Sequence, residues 1–469
     1  MTRPVMCTLA LLCLLTIGAA VPPRAAHAET KAFVYETDYS TGRLAAATLQ
    51  PRALSCDVAD THQDATLRYF DGLLYVVNRF GGDNVQVIHP ATYATLRQFS
   101  VGNGANPHDI AFASPTKAYV TRYETNDLWV VNPATGAHTG TISLAAFRDA
   151  DGYCEMDRLH VVGPLLFVSL ERIDRDNGYV PDDSGLVAVI DTRTDALVDC
   201  DPVASGTQAI RLQLTNPFTA FQFDPLTSRL MIGCAGAFGA LDGGVEWIDP
   251  VLLASGGVAV TEAALGGDVN DVVWGSAAKS WAITSEAGGN SHFVTWSAAT
   301  GAKLATLWSP GAYSLTDAER AGDELWVCSN AYMNSRVRVF SAATDAALGS
   351  DLLCSLPPVA VTFDAPSAQV ASVVPDQPRV SLSLPHPSPA RRSTAFSLTL
   401  AEAGEARIEA FDAAGRRARM LLSGARPAGT SVVHWDLADD GGSRLPAGLY
   451  LVRAAASGAV STRRVLVLP

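Results

Sequence analysis

The chain reads as an all-β protein, a seven-bladed β-propeller followed by a small immunoglobulin-like β-sandwich. Three observations predict this. First, an apolar strand opened by an aromatic or large aliphatic residue recurs at Phe33, Tyr75, Tyr119, Phe167, Leu230, Trp281 and Trp326, at intervals of 42, 44, 48, 63, 51 and 45 residues. Second, the strand that follows ends each time in a turn of one chemistry, as in Val131-Asn-Pro-Ala-Thr-Gly136, Ile190-Asp-Thr-Arg-Thr194 and Trp296-Ser-Ala-Ala-Thr-Gly301. Third, the composition changes after Asp364. Four short strands repeating every ~40–50 residues are the spacing of a propeller blade.

Residues 1–28 precede the fold. Arg3 gives a short basic start, Leu9 to Ala20 an apolar run, and Ala26-His27-Ala28 a small-x-small cleavage site, the pattern of a secretory signal peptide. The expected location is therefore outside the cytoplasm: periplasmic, extracellular or at the cell surface. No later apolar run approaches the ~20 residues of a membrane-spanning helix, so no transmembrane segment is expected.

Residues 29–366 are assigned to the propeller. Its clearest repeat is Lys117 to Gly136, an apolar strand, a polar loop, a second apolar strand and a turn. The first unit opens on a second strand, Lys31-Ala-Phe-Val-Tyr-Glu36, with no first strand before it. The last ends on an orphan first strand, Pro358-Val-Ala-Val-Thr-Phe-Asp364. Joining the two would close the ring and leave no exposed sheet edge. The 63-residue interval holds an insertion at 172–185 and a long return through Asn216. The seven repeat aromatics and aliphatics are expected in the core between blades.

A Pro/Ser/Val linker is expected at 367–384 and a sandwich at 385–469. Strand signals there are Thr394–Leu400, Ala406–Asp412, Thr430–Asp436, Gly448–Ala454 and Ser461–Leu468, separated by turns. Trp435 and Tyr450 are the expected core residues.

Charge divides the chain at the same place. Residues 29–378 carry 20 Lys+Arg against 40 Asp+Glu, a net of −20, whereas residues 379–469 carry 12 Arg and no Lys against 7 acids, a net of +5. The acidic balance excludes nucleic acid, which needs basic surface, and is compatible with cationic or metal partners. Six cysteines follow the signal, Cys56, Cys154, Cys200, Cys234, Cys328 and Cys354. Their spacings match no metal knuckle, which leaves buried thiols or disulfides.

The meander geometry selects the candidate site. Loops before the first strand and loops between the second and third strands open on one face of a propeller. The first set brings Asp64, His108, Asp109, Asp157, Asn270, Asp271 and Asp317; the second brings Arg79, Arg122, Tyr123, Glu171, Arg172, Glu286 and Asn330. Carboxylates, amides and guanidiniums converging on one channel mouth make a binding site for a polar ligand. Within the insertion, Asp174, Asp176, Asp182 and Asp183 are candidate Ca²⁺ ligands, although Asp174-Arg-Asp-Asn-Gly178 lacks the EF-hand spacing; the other reading is a solvated loop. His-Glu-x-x-His, Gly-x-Ser-x-Gly and phosphate-loop motifs do not occur.

The repeats resemble the YVTN-type seven-bladed propellers, a group that includes surface-layer, lactonase-like and cobalamin-binding members. The resemblance covers nearly all of residues 31–364. A lactonase-like member would place acids and an amide on a channel metal, and Glu286, Asn330 and Asp271 are the residues available. The C-terminal region is similar to the FlgD-type Ig-like domain, which overlaps in pattern with type IX secretion sorting domains. The matching pieces are Pro385-His-Pro387, Phe411-Asp-Ala-Ala-Gly-Arg416, Trp435-Asp436, Asp440-Gly441, Pro446-Ala-Gly-Leu-Tyr450 and Arg463-Arg464; His386 stands where that family usually has Asn. That likeness implies sorting, attachment or assembly.

The expected function is thus an exported bacterial binding protein. Its rim would take a polar small molecule, ion, glycan or protein, and its C-terminal module would meet secretion or attachment machinery. The alternatives are a metal-dependent lactonase-like hydrolase and a purely structural envelope component.

Overall fold

The computed structural model describes residues 30–364 except 202 and 332, and residues 380–468 except 383–384, 386–389, 401–402, 413–414, 428 and 457–458. The expected signal peptide, most of the linker and His386-Pro387 lie outside the described residues.

Seven antiparallel meander sheets succeed one another along residues 31–363, and each packs on the next to form a β-propeller. The strands opened by Phe33, Tyr75, Tyr119, Phe167, Leu230, Trp281 and Trp326 are the second strands of their sheets, as expected. These strands are apolar on both faces because each sheet is covered on both sides. Tyr119 packs toward the fourth sheet, while its neighbours Ala118 and Val120 pack toward the second. One buried cluster fills each gap between consecutive sheets, and the last joins Trp326, Val337 and Val339 of the seventh to Ala32, Val34 and Phe363 of the first. The core is therefore a closed ring.

Closure follows the sequence reading. Pro358–Phe363 pairs antiparallel with Lys31–Thr37, bringing Val34 opposite Val361 and Ala32 opposite Phe363. The turns after six of the seven third strands have a residue of positive φ, at Gly136, Asp195, Gly301 and Asp345, and also at Tyr93 and Leu253. Glycine or aspartate at four of the six lowers the cost of that backbone. In the fourth sheet the outer strand is split into Ala196–Leu197 and Ile210–Arg211, both paired with Leu186–Asp191, and the extra chain loops out between them. All six cysteines are free thiols, with Cys154, Cys234 and Cys328 buried.

The C-terminal domain is a sandwich of a three-stranded and a four-stranded sheet. Trp435 and Tyr450 meet edge to face at 5.8 Å in its core. Two strands go beyond the sequence signals. Val380–Leu382 lies within the stretch assigned to the linker, and Arg417–Arg426 is an edge strand. An edge strand tolerates the polar run Arg-Ala-Arg-Met because one side of it stays hydrated.

Candidate functional site

The innermost strand of each propeller sheet lacks a ladder partner on its channel side, so its N–H groups need other acceptors. Aspartates supply them. Asp109 accepts from its own neighbour Ile110 N at 2.7 Å and from Leu159 N of the next sheet at 3.0 Å. Asp271 accepts from Ala318 N at 2.8 Å, and Asp317 from Val361 N at 2.6 Å. Three of the rim aspartates thus brace one inner strand to the next. Asp109 also receives Arg68 in a two-point pair, Nε at 2.8 Å and Nη2 at 2.9 Å.

Beside these braces lies a buried polar network. His108 Nδ1 is 2.8 Å from Asp157 and its Nε2 is 3.0 Å from Arg79 Nη2. A guanidinium only donates, so Nε2 accepts and the proton sits on Nδ1, donated to Asp157. Burial, reinforced by Arg79, lowers the His108 pKa to about 4, and the ring is neutral near pH 7. Its face stacks on Tyr123 at 4.0 Å. Tyr123 donates its hydroxyl proton to Glu171 at 2.7 Å. Burial and then neighbouring Asp157 push Glu171 well above the usual carboxylate range. Burial also acts upward on Asp157, but Arg158 and His108 outweigh it and hold that carboxyl below its ordinary value.

These groups adjoin a cavity of about 770 Å³ in the channel, lined among others by Arg68, Arg158, Asn270, Asp271, Asp317 and Glu319. Arg158 places Nε 3.0 Å from Asp157 and contributes the rest of its guanidinium to the cavity wall. Burial, with Asp317 beside it, raises Glu319 to about 8; burial raises Asp317 to about 6 and lifts Asp271 well above normal. Arg158 acts downward on Asp271 and Asp317, and Arg68 on Asp317 and Glu319, but burial outweighs both, and the three carboxyls face the cavity with raised pKa values. A charged residue within an inner strand, as in Asp317-x-Glu319 and Arg158-x-His160, is the signal that reveals Arg68, Arg158 and Glu319.

The remaining expected residues lie elsewhere on the same set of loops. Asp64 is 3.8 Å from Arg79. Arg122 donates to Val101 O at 2.9 Å and covers the Trp129 ring. Arg172 binds Asp182 and Ser184 O, holding the insertion. Glu286 is 3.1 Å from His292, and the Asn330 amide donates to the Tyr313 and Ser314 carbonyls. Asn270 lines the cavity and accepts from Ser285 at 2.8 Å. Asp174 caps the short helical turn Arg175–Asn177, whereas Asp183 pairs with Arg211 and Asp176 is exposed. Among the described residues no three His, Cys, Asp or Glu side chains gather as a metal-holding set.

Residues 389–459 match the FlgD Ig-like domain family. No curated protein sequence matches the chain. Among solved structures, hydrazine synthase of Kuenenia stuttgartiensis is similar at 14% identity over 63% of this chain and 87% of its own, with a TM-score of 0.47. Dihydro-heme d1 dehydrogenase NirN is similar at 13% identity over 71% and 75%, TM-score 0.46. AztD from Citrobacter koseri is similar at 9% identity over 71% and 97%, TM-score 0.42.

The carboxyl pKa values give a stability prediction. A carboxyl whose pKa is raised in the folded state binds its proton more tightly there than when unfolded. Its contribution is complete below the ordinary value and lost as pH rises through the folded one. Buried His108 and His160, both lowered to about 4, act oppositely, but only below their ordinary 6.5. Stability should therefore decline without opposition between pH 6.5 and the Glu319 value of about 8. Glu319→Gln is expected to raise the Tm at about pH 8 by roughly 2–4 °C and to leave it nearly unchanged at about pH 5. Equal shifts at the two pH values, read by calorimetry, would contradict the assignment.

Proposed function

We propose that this chain is an exported bacterial binding protein, a seven-bladed propeller of the YVTN kind whose channel takes a polar small molecule bearing positive charge. The FlgD-like domain serves sorting or attachment at the cell surface. The observation that carries the reading is the cavity of about 770 Å³ faced by Asp271, Asp317 and Glu319. Its size falls within the ~300–1,000 Å³ of small-molecule sites. An ammonium or guanidinium ligand would relieve the mutual repulsion of those carboxyls, and its binding would release protons from them. Asn270 and Arg158 would orient the polar remainder.

The test is a thermal-shift screen of the full chain with arginine, spermidine, glucosamine, Ca²⁺, Zn²⁺, EDTA, lactones and cobalamins. A matching cationic ligand at 100 times its Kd stabilises by about 2.7 kcal/mol, and Glu319→Gln is expected to remove most of that shift. A screen in which no cationic compound shifts the Tm, or in which the variant responds like the parent, defeats the channel reading and favours a scaffold that only displays surface.

A further inference from the structure

The exposed aromatic side chains of the propeller sit on one side of the ring. Tyr39, Phe80, Tyr179 and Phe238 occupy the loops between second and third strands in four of the sheets, and exposed Met333 takes the same place in a fifth. Tyr313, 75% exposed, leads into the seventh sheet and covers the corresponding loop of the sixth at Gly289. All of these loops border the channel mouth. The opposite side exposes Leu226, Val251 and Leu252 and, among the described residues, no aromatic. Exposed apolar side chains scattered singly need no explanation, but one per loop around a single face is an interaction surface.

The same face indicates what it holds. Arg175 of the insertion lies there with its guanidinium 5.1 Å from the Tyr123 ring centre and 4.8 Å from that of Tyr153. It is paired with Glu124 at 2.5 Å and Glu155 at 3.0 Å. Aromatic faces and carboxylates around a guanidinium form a cation–π and ion-pair cage. Arg175 fills this cage itself, and it shows that a guanidinium packs stably among the aromatic rings and carboxylates of these loops.

An arginine-bearing surface exists in the C-terminal domain. In the strand Gly448–Ala456, Tyr450, Val452 and Ala454 point inward, while Leu449, Leu451 and Arg453 are exposed on the outer face. Leu466 and Arg464 stand opposite Leu449 and Leu451 on that face. Leucine interleaved with arginine suits an acidic, aromatic partner. The propeller, at −20 over residues 29–378, has that character, against +5 over residues 379–469. Because the ring-closing strand starts beside Glu36 at the mouth and ends beside Ala32 on the far side, the chain leaves the ring away from the aromatic face.

We infer that the aromatic, acidic face of one copy binds the Leu/Arg sheet face of the C-terminal domain of a second copy, in a head-to-tail contact. Such a contact does not close by itself and propagates into chains of molecules. It does not depend on a channel ligand.

Sedimentation velocity of the full chain tests this. In low salt the protein should form dimers and longer species as concentration rises, and these should dissociate when the salt is raised to about 0.5 M, where charge attraction is screened. Phe80→Ser with Tyr313→Ser should give a monomer, as should Arg453→Glu with Arg464→Glu. Mixing the two variants should restore dimers and nothing larger, since each keeps one intact half. A monomer at all concentrations in low salt overturns the inference. So does association that survives either pair of changes, or a mixture that stays monomeric. Unchanged thermal unfolding of both variants separates lost association from lost folding.

Discussion

Asp109→Ala is expected to lower the free energy of unfolding by about 3–5 kcal/mol, the range for removing one partner of a buried ion pair. The Asp109 side chain is fully buried and serves four donors: two on Arg68 and the amides of Ile110 and Leu159. Alanine strands the Arg68 guanidinium in the channel wall and orphans the amide that ties the third sheet to the fourth. Asp109→Asn keeps the shape and one acceptor, and should cost less. Replacing both partners, Asp109→Leu with Arg68→Met, should recover much of the loss, because the penalty comes from the isolated charge rather than from the pair's net worth. Urea denaturation of the parent, Asp109→Leu, Arg68→Met and the double variant gives the cycle. A single-variant loss under about 1 kcal/mol would show that water enters and solvates Arg68, and that the brace is not the holding element.

The sequence carried the fold plainly because a propeller repeats its constraints. Each second strand must be apolar on both faces, so Tyr119 with Ala118 and Val120 stands out from any half-buried strand. Each third strand must reverse into an outer strand, so Asn132 to Gly136 recurs in variants. Where a constraint was local to one sheet, less could be read. The outer strand of the fourth sheet is broken by residues 198–209, and no periodicity predicts where it resumes at Ile210. Arg417–Arg426 gave no strand signal because hydration of an edge permits arginine at alternate positions. The candidate site was legible by location only. Counting loops placed His108, Asp157, Tyr123 and Glu171 on one face, and they meet in one network. The same counting could not separate Asp109, whose carboxylate is wholly engaged by Arg68 and two backbone amides, from Asp271 and Asp317, which each brace the next strand and also line the cavity. That distinction depends on which N–H groups the ring leaves unpaired. Arg158 and Glu319 escaped notice because they lie inside strands, where a charged residue is ordinarily taken for the solvent face.

A chain ended after Leu356 is expected to have no cooperatively folded propeller, whereas one ended after Asp364 should keep a single unfolding transition. The difference is the eight residues that include the closing strand. Without them, Lys31–Thr37 loses its inner partner at Ala32, Phe33, Val34 and Tyr35, and two sheet edges open to solvent. Asp317 loses the Val361 amide, and Trp326 loses the Phe363 ring that meets it edge to face at 5.7 Å. In an open array each sheet would be held only by its neighbours. Closure makes the first and seventh sheets neighbours, so the cost falls on the whole ring and not on one strand. Phe363→Ala grades the effect: the strand remains, the cavity costs about 3–5 kcal/mol, and unfolding should stay a single transition at lower temperature. A peptide spanning residues 357–365, added to the shorter chain, should restore part of the transition in proportion to its concentration, since it binds only the folded ring. If the shorter chain melts like the longer one, the buried clusters between sheets suffice without the closing strand, and the ring is held by packing instead of by its seam.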